Sequence, residues 1–197
     1  LYSETQKHCC GGDGLAVIAV GGYGRGEMAP YSDIDIMILM PKNTSTAQTK
    51  FIEFMLYILW DLGLKIGHST RSISESIAAA RDNQTVLTSL LEMRYVAGDE
   101  SLWTKLARAV QYEIGKQKPL IFVEEKLAER DVRHKRFGDT RYVVEPNVKD
   151  GKGGLRDLHS LFWIAKYAYR ANSIVDIVKQ GVLRDGEARK FASAQRF

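Results

Sequence analysis

One stretch, Val20 to Leu39 (VGGYGRGEMAPYSDIDIMIL), constrains this chain more than any other. The apolar run Leu15–Val20 reads as a short buried strand and leads directly into the pair Gly21–Gly22. A second strand is predicted from Asp33 to Met40, closed by Pro41. Residues i and i+2 of a strand point to the same side, so Asp33, Asp35 and Met37 share one face while Ile34, Ile36 and Ile38 share the other. Glycines after a strand allow close backbone approach to phosphate, and a short helix near Arg25–Met28 would add unpaired N–H donors. Arg25 supplies a forked cation. Two hard carboxylates beside such a cradle suit one or two Mg²⁺ ions bridging protein and triphosphate, and point to nucleotidyl transfer.

Spacing excludes two rivals. Gly24, Gly26 and Ala29 fit G-x-G-x-x-A, but Pro30 follows at once and the next strand begins near Asp33. A dinucleotide-binding βαβ unit needs a full helix in that interval. No G-x-x-x-x-G-K-[ST] occurs, so a P-loop is excluded as well.

The rest of the chain reads as α+β in front and helical behind. Ser45 and Gln48 have capping-box spacing ahead of Phe51, Phe54, Met55, Ile58, Leu59 and Leu62, and Gly63 stops that helix. A third strand is predicted over Leu64–Arg71, then helices near 73–81, 84–96, 100–115 and 120–137. Strand signals cease after Arg71 apart from a short piece at Tyr142–Val144. This gives a nucleotidyltransferase domain over 1–116 and a helical domain over 117–197. Trp60, Trp103 and Trp163 fall on apolar helix faces and read as core. The leading Leu1 and the helical-looking end at Phe197 suggest a piece of a longer protein.

A net charge of +4 is compatible with an anionic substrate and too weak to argue for nucleic acid. Cys9 and Cys10, the only cysteines, exclude a disulfide framework and fit a reducing, cytoplasmic setting. No apolar run reaches the roughly 20 residues of a membrane span.

A second glycine-rich segment, Asn147–Leu155 (NVKDGKGGL), precedes a helix patterned by Leu155, Leu158, Phe162, Ala165 and Tyr169. Lys149, Lys152 and Arg156 could bind an anion there, or the glycines could form a tight turn with solvated charges; structure is the favoured reading. The charge-rich Arg130–Arg141 reads first as a solvated helix face and second as a docking surface. His134 and His159 read as hydrogen-bonded or exposed rather than metal-binding.

GGYGRGEMAPYSDIDIMIL resembles the nucleotidyltransferase fold of the DNA polymerase β superfamily. Together with LWDLGLKIGHSTRS, LLEMRYVAGD and EPNVKDGKGGLRDLH, in that order, it is similar to the family of bacterial PII uridylyltransferase/uridylyl-removing enzymes. The resemblance runs from about Leu15 to Phe197. It implies transfer of UMP from UTP to a tyrosine of the nitrogen-regulatory protein PII, with release of pyrophosphate. Asp33 and Asp35 would be the catalytic Mg²⁺ ligands, and Gly21, Gly22, Arg25 and Ser32 would hold the triphosphate. The family also carries an HD domain that removes UMP and glutamine-sensing ACT domains; no His-Asp dipeptide occurs here. Related enzymes place a third carboxylate on a neighbouring strand, yet Leu64–Arg71 has no Asp or Glu. Asp82 or Glu92 could substitute, and His68 or Arg71 could bind phosphate or base. An adenylyltransferase acting on another protein, or a non-catalytic nucleotide-sensing module, is the alternative.

Overall fold

The computed structural model describes residues 1–28, 31–116, 118–138, 140, 145, 147–171 and 173–196, with side chains to residue 194. Ala29, Pro30, the possible strand at Tyr142–Val144, and Asp139 and Arg141 of the charge-rich segment lie outside the described residues. The chain separates into two compact units, Leu1–Gly115 and Lys116–Phe197.

The first unit runs α1 (Tyr2–His8), β1 (Ala16–Ala19), α2 (Gly21–Arg25), β2 (Ile34–Leu39), α3 (Thr46–Asp61), β3 (Ile66–Arg71), α4 (Ile73–Asp82), α5 (Gln84–Leu91), β4 (Arg94–Gly98) and α6 (Glu100–Lys116). Its four strands form one mixed sheet in the order β3-β2-β1-β4. β1 pairs antiparallel with β2, Ala16 opposite Leu39 and Ala19 opposite Ile36. β2 and β3 are parallel, which requires a crossover, and α3 supplies it.

Alternation along the strands sorts the two faces. Leu15, Val17, Ile36 and Ile38 pack against Phe51, Ile52, Met55 and Leu56 of α3. Burial of each such side chain contributes roughly 1.5–3 kcal/mol. The opposite face carries Asp35 and Met37; Ser76 of α4 lies 3.8 Å from the Met37 sulfur. α3 opens on the capping box expected from its sequence: the Gln48 N–H donates to the Ser45 hydroxyl at 3.2 Å, and the Ser45 N–H donates to the Gln48 amide oxygen at 2.9 Å. Gly63, at φ 71, turns the chain out of the helix towards β3.

Three expectations are corrected. The helix expected over 84–96 stops at Leu91, and Arg94–Gly98 is a fourth strand. RYVAG is short and only partly apolar; its extended form comes from pairing with the open edge of β1, which no local pattern announces. The short helix is Gly21–Arg25 rather than Arg25–Met28. Three glycines in five residues disfavour a helix locally, so its neighbours impose it. Trp60 is not core: it is 44% exposed, edge-on to Tyr57 and to His68. Trp163 is buried as expected, and Trp103 is half-buried beside Tyr95.

The second unit comprises α7 (Pro119–Arg136), α8 (Leu155–Tyr169), α9 (Ile174–Lys179) and α10 (Asp185–Arg196). α7 and α8 meet through the stacked rings of Phe122 and Tyr167, 4.1 Å between centroids. Lys126 is buried, its ammonium 2.7 Å from Glu129 and 5.3 Å from the Trp163 ring centre. Ala165, Ala171 and Ile177 join α8 to α9.

Candidate active site

A cavity of about 380 Å³ opens on the α4–α5 side of the first sheet, lined by Val20, Gly21, Asp35, Gly67 and Arg71 among others. The end of β1 and the start of β2 are tied together where the Val20 N–H donates to the Asp35 carbonyl at 3.0 Å. Gly21 (φ 57) then turns the chain into α2 beside the Asp35 side chain. A Cβ at Gly21 would stand 3.0 Å from one carboxylate oxygen of Asp35, and a Cβ at Gly67 would collide with the other. Asp35 is thus seated between two glycines. Asp33 is exposed and sits two residues earlier, just before β2 begins, with exposed Ser32 next to it. Gly22 is braced by the Glu27 N–H donating to its carbonyl at 3.0 Å.

The structure sorts the sequence candidates. Asp35, Gly21 and Arg71 line one cavity. Arg71 is the register partner of Leu39, so its side chain shares a sheet face with Asp35. His68 also borders this cavity, but it pairs with Ile36 and its ring meets Trp60 on the α3 side. Asp82, at the exposed end of α4, does not line the cavity. Neither does Glu92, which is buried and pairs with Arg25 at 2.7 Å. Arg25 also contacts Glu27 at 3.0 Å and is only 15% exposed. Among the described residues, no group of three His, Cys, Asp or Glu side chains is placed to hold a metal ion. Asp35 lines the cavity and Asp33 does not; a hard carboxylate in an open cavity fits a divalent cation that takes its remaining ligands from phosphate and water.

Gly67 was missed by sequence reasoning. A glycine inside a strand is the available signal of close approach, but what approaches is a side chain of the neighbouring strand. Arg94 was missed with its strand: it donates to the carbonyls of Tyr23 (2.7 Å) and Gly24 (3.3 Å).

In the second unit the segment Asn147–Leu155 folds on itself. Gly151 donates to the Asn147 carbonyl, Gly154 to Gly151, Leu155 to Val148 and Arg156 to Lys149. The Gly153 N–H donates to Asp157 at 2.7 Å. These donors are spent within the turn, and a Cβ at Gly154 would stand 2.6 Å from the Val148 carbonyl oxygen. The segment is a tight structural turn. Asp157 anchors it to α7 through Arg133 (2.7 Å) and His134 (2.9 Å). Lys152 lines a separate cavity of about 680 Å³ within this unit, with Lys126, Arg130 and Lys135.

Residues 6–91 match the family model described as Nucleotidyltransferase domain, so the front of the chain is similar to that family. Residues 121–197 match the family model described as GlnD PII-uridylyltransferase. The whole chain is 50% identical to the "Bifunctional uridylyltransferase/uridylyl-removing enzyme" of Bradyrhizobium sp. (strain ORS 278), of which it covers 22%. Over 94% of its length it is 50% identical to the enzyme of the same name from Rhodospirillum rubrum, covering 20% of it. The chain therefore spans about a fifth of the length of these curated relatives. A solved structure described as "Crystal structure of the toxin-antitoxin with AMP-PNP" overlaps 60% of this chain and 91% of its own, with TM-score 0.36 and 14% identity.

Proposed function

We propose that this chain carries the nucleotidyl-transfer site of a PII uridylyltransferase, moving UMP from UTP to a tyrosine of a PII-type protein with release of pyrophosphate. The observation that carries the reading is Asp35, seated between Gly21 and Gly67 in a cavity, with Asp33 two residues before it. The relatives' names give uridylyl as the group transferred, and the description of the family model over residues 121–197 gives PII as the target. Asp33 and Asp35 are the Mg²⁺ ligands in this proposal. When bound, Mg²⁺ offsets charge on the triphosphate and makes the α-phosphorus more electrophilic. Gly21, Gly22 and Ser32 line the approach of the phosphates. Arg71, on the Asp35 face of the sheet, faces the anionic substrate. Arg25, already held by two carboxylates, acts on the phosphates through the position of α2. The two working parts are a nucleotidyltransferase domain over 1–116 and a helical domain over 117–197. The two adjacent cysteines, both free, fit a reducing, cytoplasmic setting. No helix among the described residues is long and apolar enough to cross a membrane.

The test uses the intact protein, a PII-type protein, Mg²⁺ and labelled UTP. Label reaches the target with wild type and not with an Asp33→Ala/Asp35→Ala double variant of unchanged circular dichroism. Transfer by that double variant would overturn the assignment. Competition between UTP and ATP separates uridylyl from adenylyl transfer. Binding without pyrophosphate release would replace an enzyme with a nucleotide sensor.

A further inference from the structure

The short helix α2 carries the glycines of the site yet cannot hold its own shape. It has five residues, three of them glycine. Each interior glycine costs about 1 kcal/mol relative to alanine, and so short a helix does not persist alone. Its position is set from outside, by the junction between α5 and β4.

Three contacts come from that junction. The Glu92 carboxylate, with its side chain only 3% exposed, accepts from Arg25 at 2.7 Å. The Glu92 backbone carbonyl occupies the space that a Cβ at residue 24 would need, so α2 lies flat on it through Gly24. Arg94, opposite Ala19 in the sheet, donates to the Tyr23 and Gly24 carbonyls, and its guanidinium stands 5.1 Å from the Tyr23 ring centre. Arg94 therefore bonds the last carbonyls of the helix, sharing that of Tyr23 with the Gly26 N–H, at the C-terminal end where a cation is favoured. The other end of α2 is Gly21, which meets Asp35.

We propose that Glu92 and Arg94 are positioning residues: they grip the C-terminal end of α2 and so hold Gly21 and Gly22 in register with the Asp35 carboxylate. Arg25 is the anchor that Glu92 takes hold of. This rests on the reading of Asp35 as part of the transfer site. A displacement of about 1 Å there is enough to cost on the order of 100-fold in rate.

The experiment compares Glu92→Gln, Arg94→Gln and a control, Glu113→Gln, in the intact protein. Glu113 is also a buried acid paired with an arginine at 2.7 Å, but it lies on α6 and that arginine, Arg81, is on α4 rather than α2. The amides of Gly24, Gly26 and Glu27 are bonded within the α2 turn. Their hydrogen exchange accelerates by about tenfold or more in the Glu92 and Arg94 variants and not in the control, while β1 and β2 stay protected. The KM for UTP rises about tenfold in the same two variants and stays near wild type in the control. Unchanged exchange in both variants, or a KM change matched by Glu113→Gln, overturns the positioning role. If wild type transfers no nucleotide at all, the transfer reading fails, and exchange alone still decides whether the grip exists.

Discussion

The Asp35 carboxylate lies over Gly67, its register partner on the parallel strand β3. The pairing puts residue 67 on the same face as Asp35, so any Cβ there would push into a carboxylate oxygen. The glycine is where it is because of the aspartate beside it, not because of the fold of its own strand.

Gly67→Ala should therefore act on chemistry more than on stability. The clash falls on a side chain that can rotate, so the protein should fold with a melting temperature near wild type. The carboxylate should be displaced, and kcat for nucleotide transfer should fall by about 100-fold. Steady-state kinetics beside a thermal melt checks both parts.

Chelation of divalent cations should abolish transfer, and added Mg²⁺ should restore it. The first unit should keep its melting temperature throughout. Its core is the Leu15–Val17–Ile36–Ile38 layer against α3, and no metal is needed to bury it. A large loss of thermal stability on chelation would place the metal in the fold rather than in the reaction.

The helical unit should be acid-sensitive through Asp157. Burial pushes this carboxyl up, but the Gly153 N–H, Arg133 and His134 outweigh it and hold it below the ordinary value. A carboxylate with a lowered folded pKa contributes stability above its unfolded pKa of about 3.9, and loses that contribution as pH falls through the folded value. Asp157→Asn should be less stable than wild type at about pH 7, and the difference should narrow by about pH 3. Urea unfolding at the two pH values measures it.

Two substitutions in the first unit should differ in size. Ser45→Ala removes the cap of α3 and should cost about 1 kcal/mol. Ile38→Ala, at a fully buried position of β2, should cost about 2–5 kcal/mol. Denaturant titration separates the two.

The core strands and the capped helix α3 were legible because each is a local pattern. Alternation placed Asp35 and Met37 opposite Ile36 and Ile38, and the strand-turn-strand spacing excluded a dinucleotide fold. β4 was not legible: RYVAG becomes a strand only when the edge of β1 meets it. The helix at Gly21–Arg25 was misplaced for a similar reason, since its glycines argue against a helix until Glu92 and Arg94 hold it. Trp60 was misread because an apolar helix face does not say how far the neighbouring sheet extends to cover it.

The opening stretch by itself determined which chemical groups could come close to one another, because glycines after a strand and carboxylates at i and i+2 are set by covalent spacing. Only the tertiary structure decided how they are used. It seated Asp35 between Gly21 and Gly67, turned Arg25 and Glu92 into a buried brace, and closed the glycines of Asn147–Leu155 into a turn. The reason is that these relations depend on strand register and on which side chain meets which backbone across long separations. Residues 24 and 92, or 35 and 67, become neighbours only once the sheet has formed.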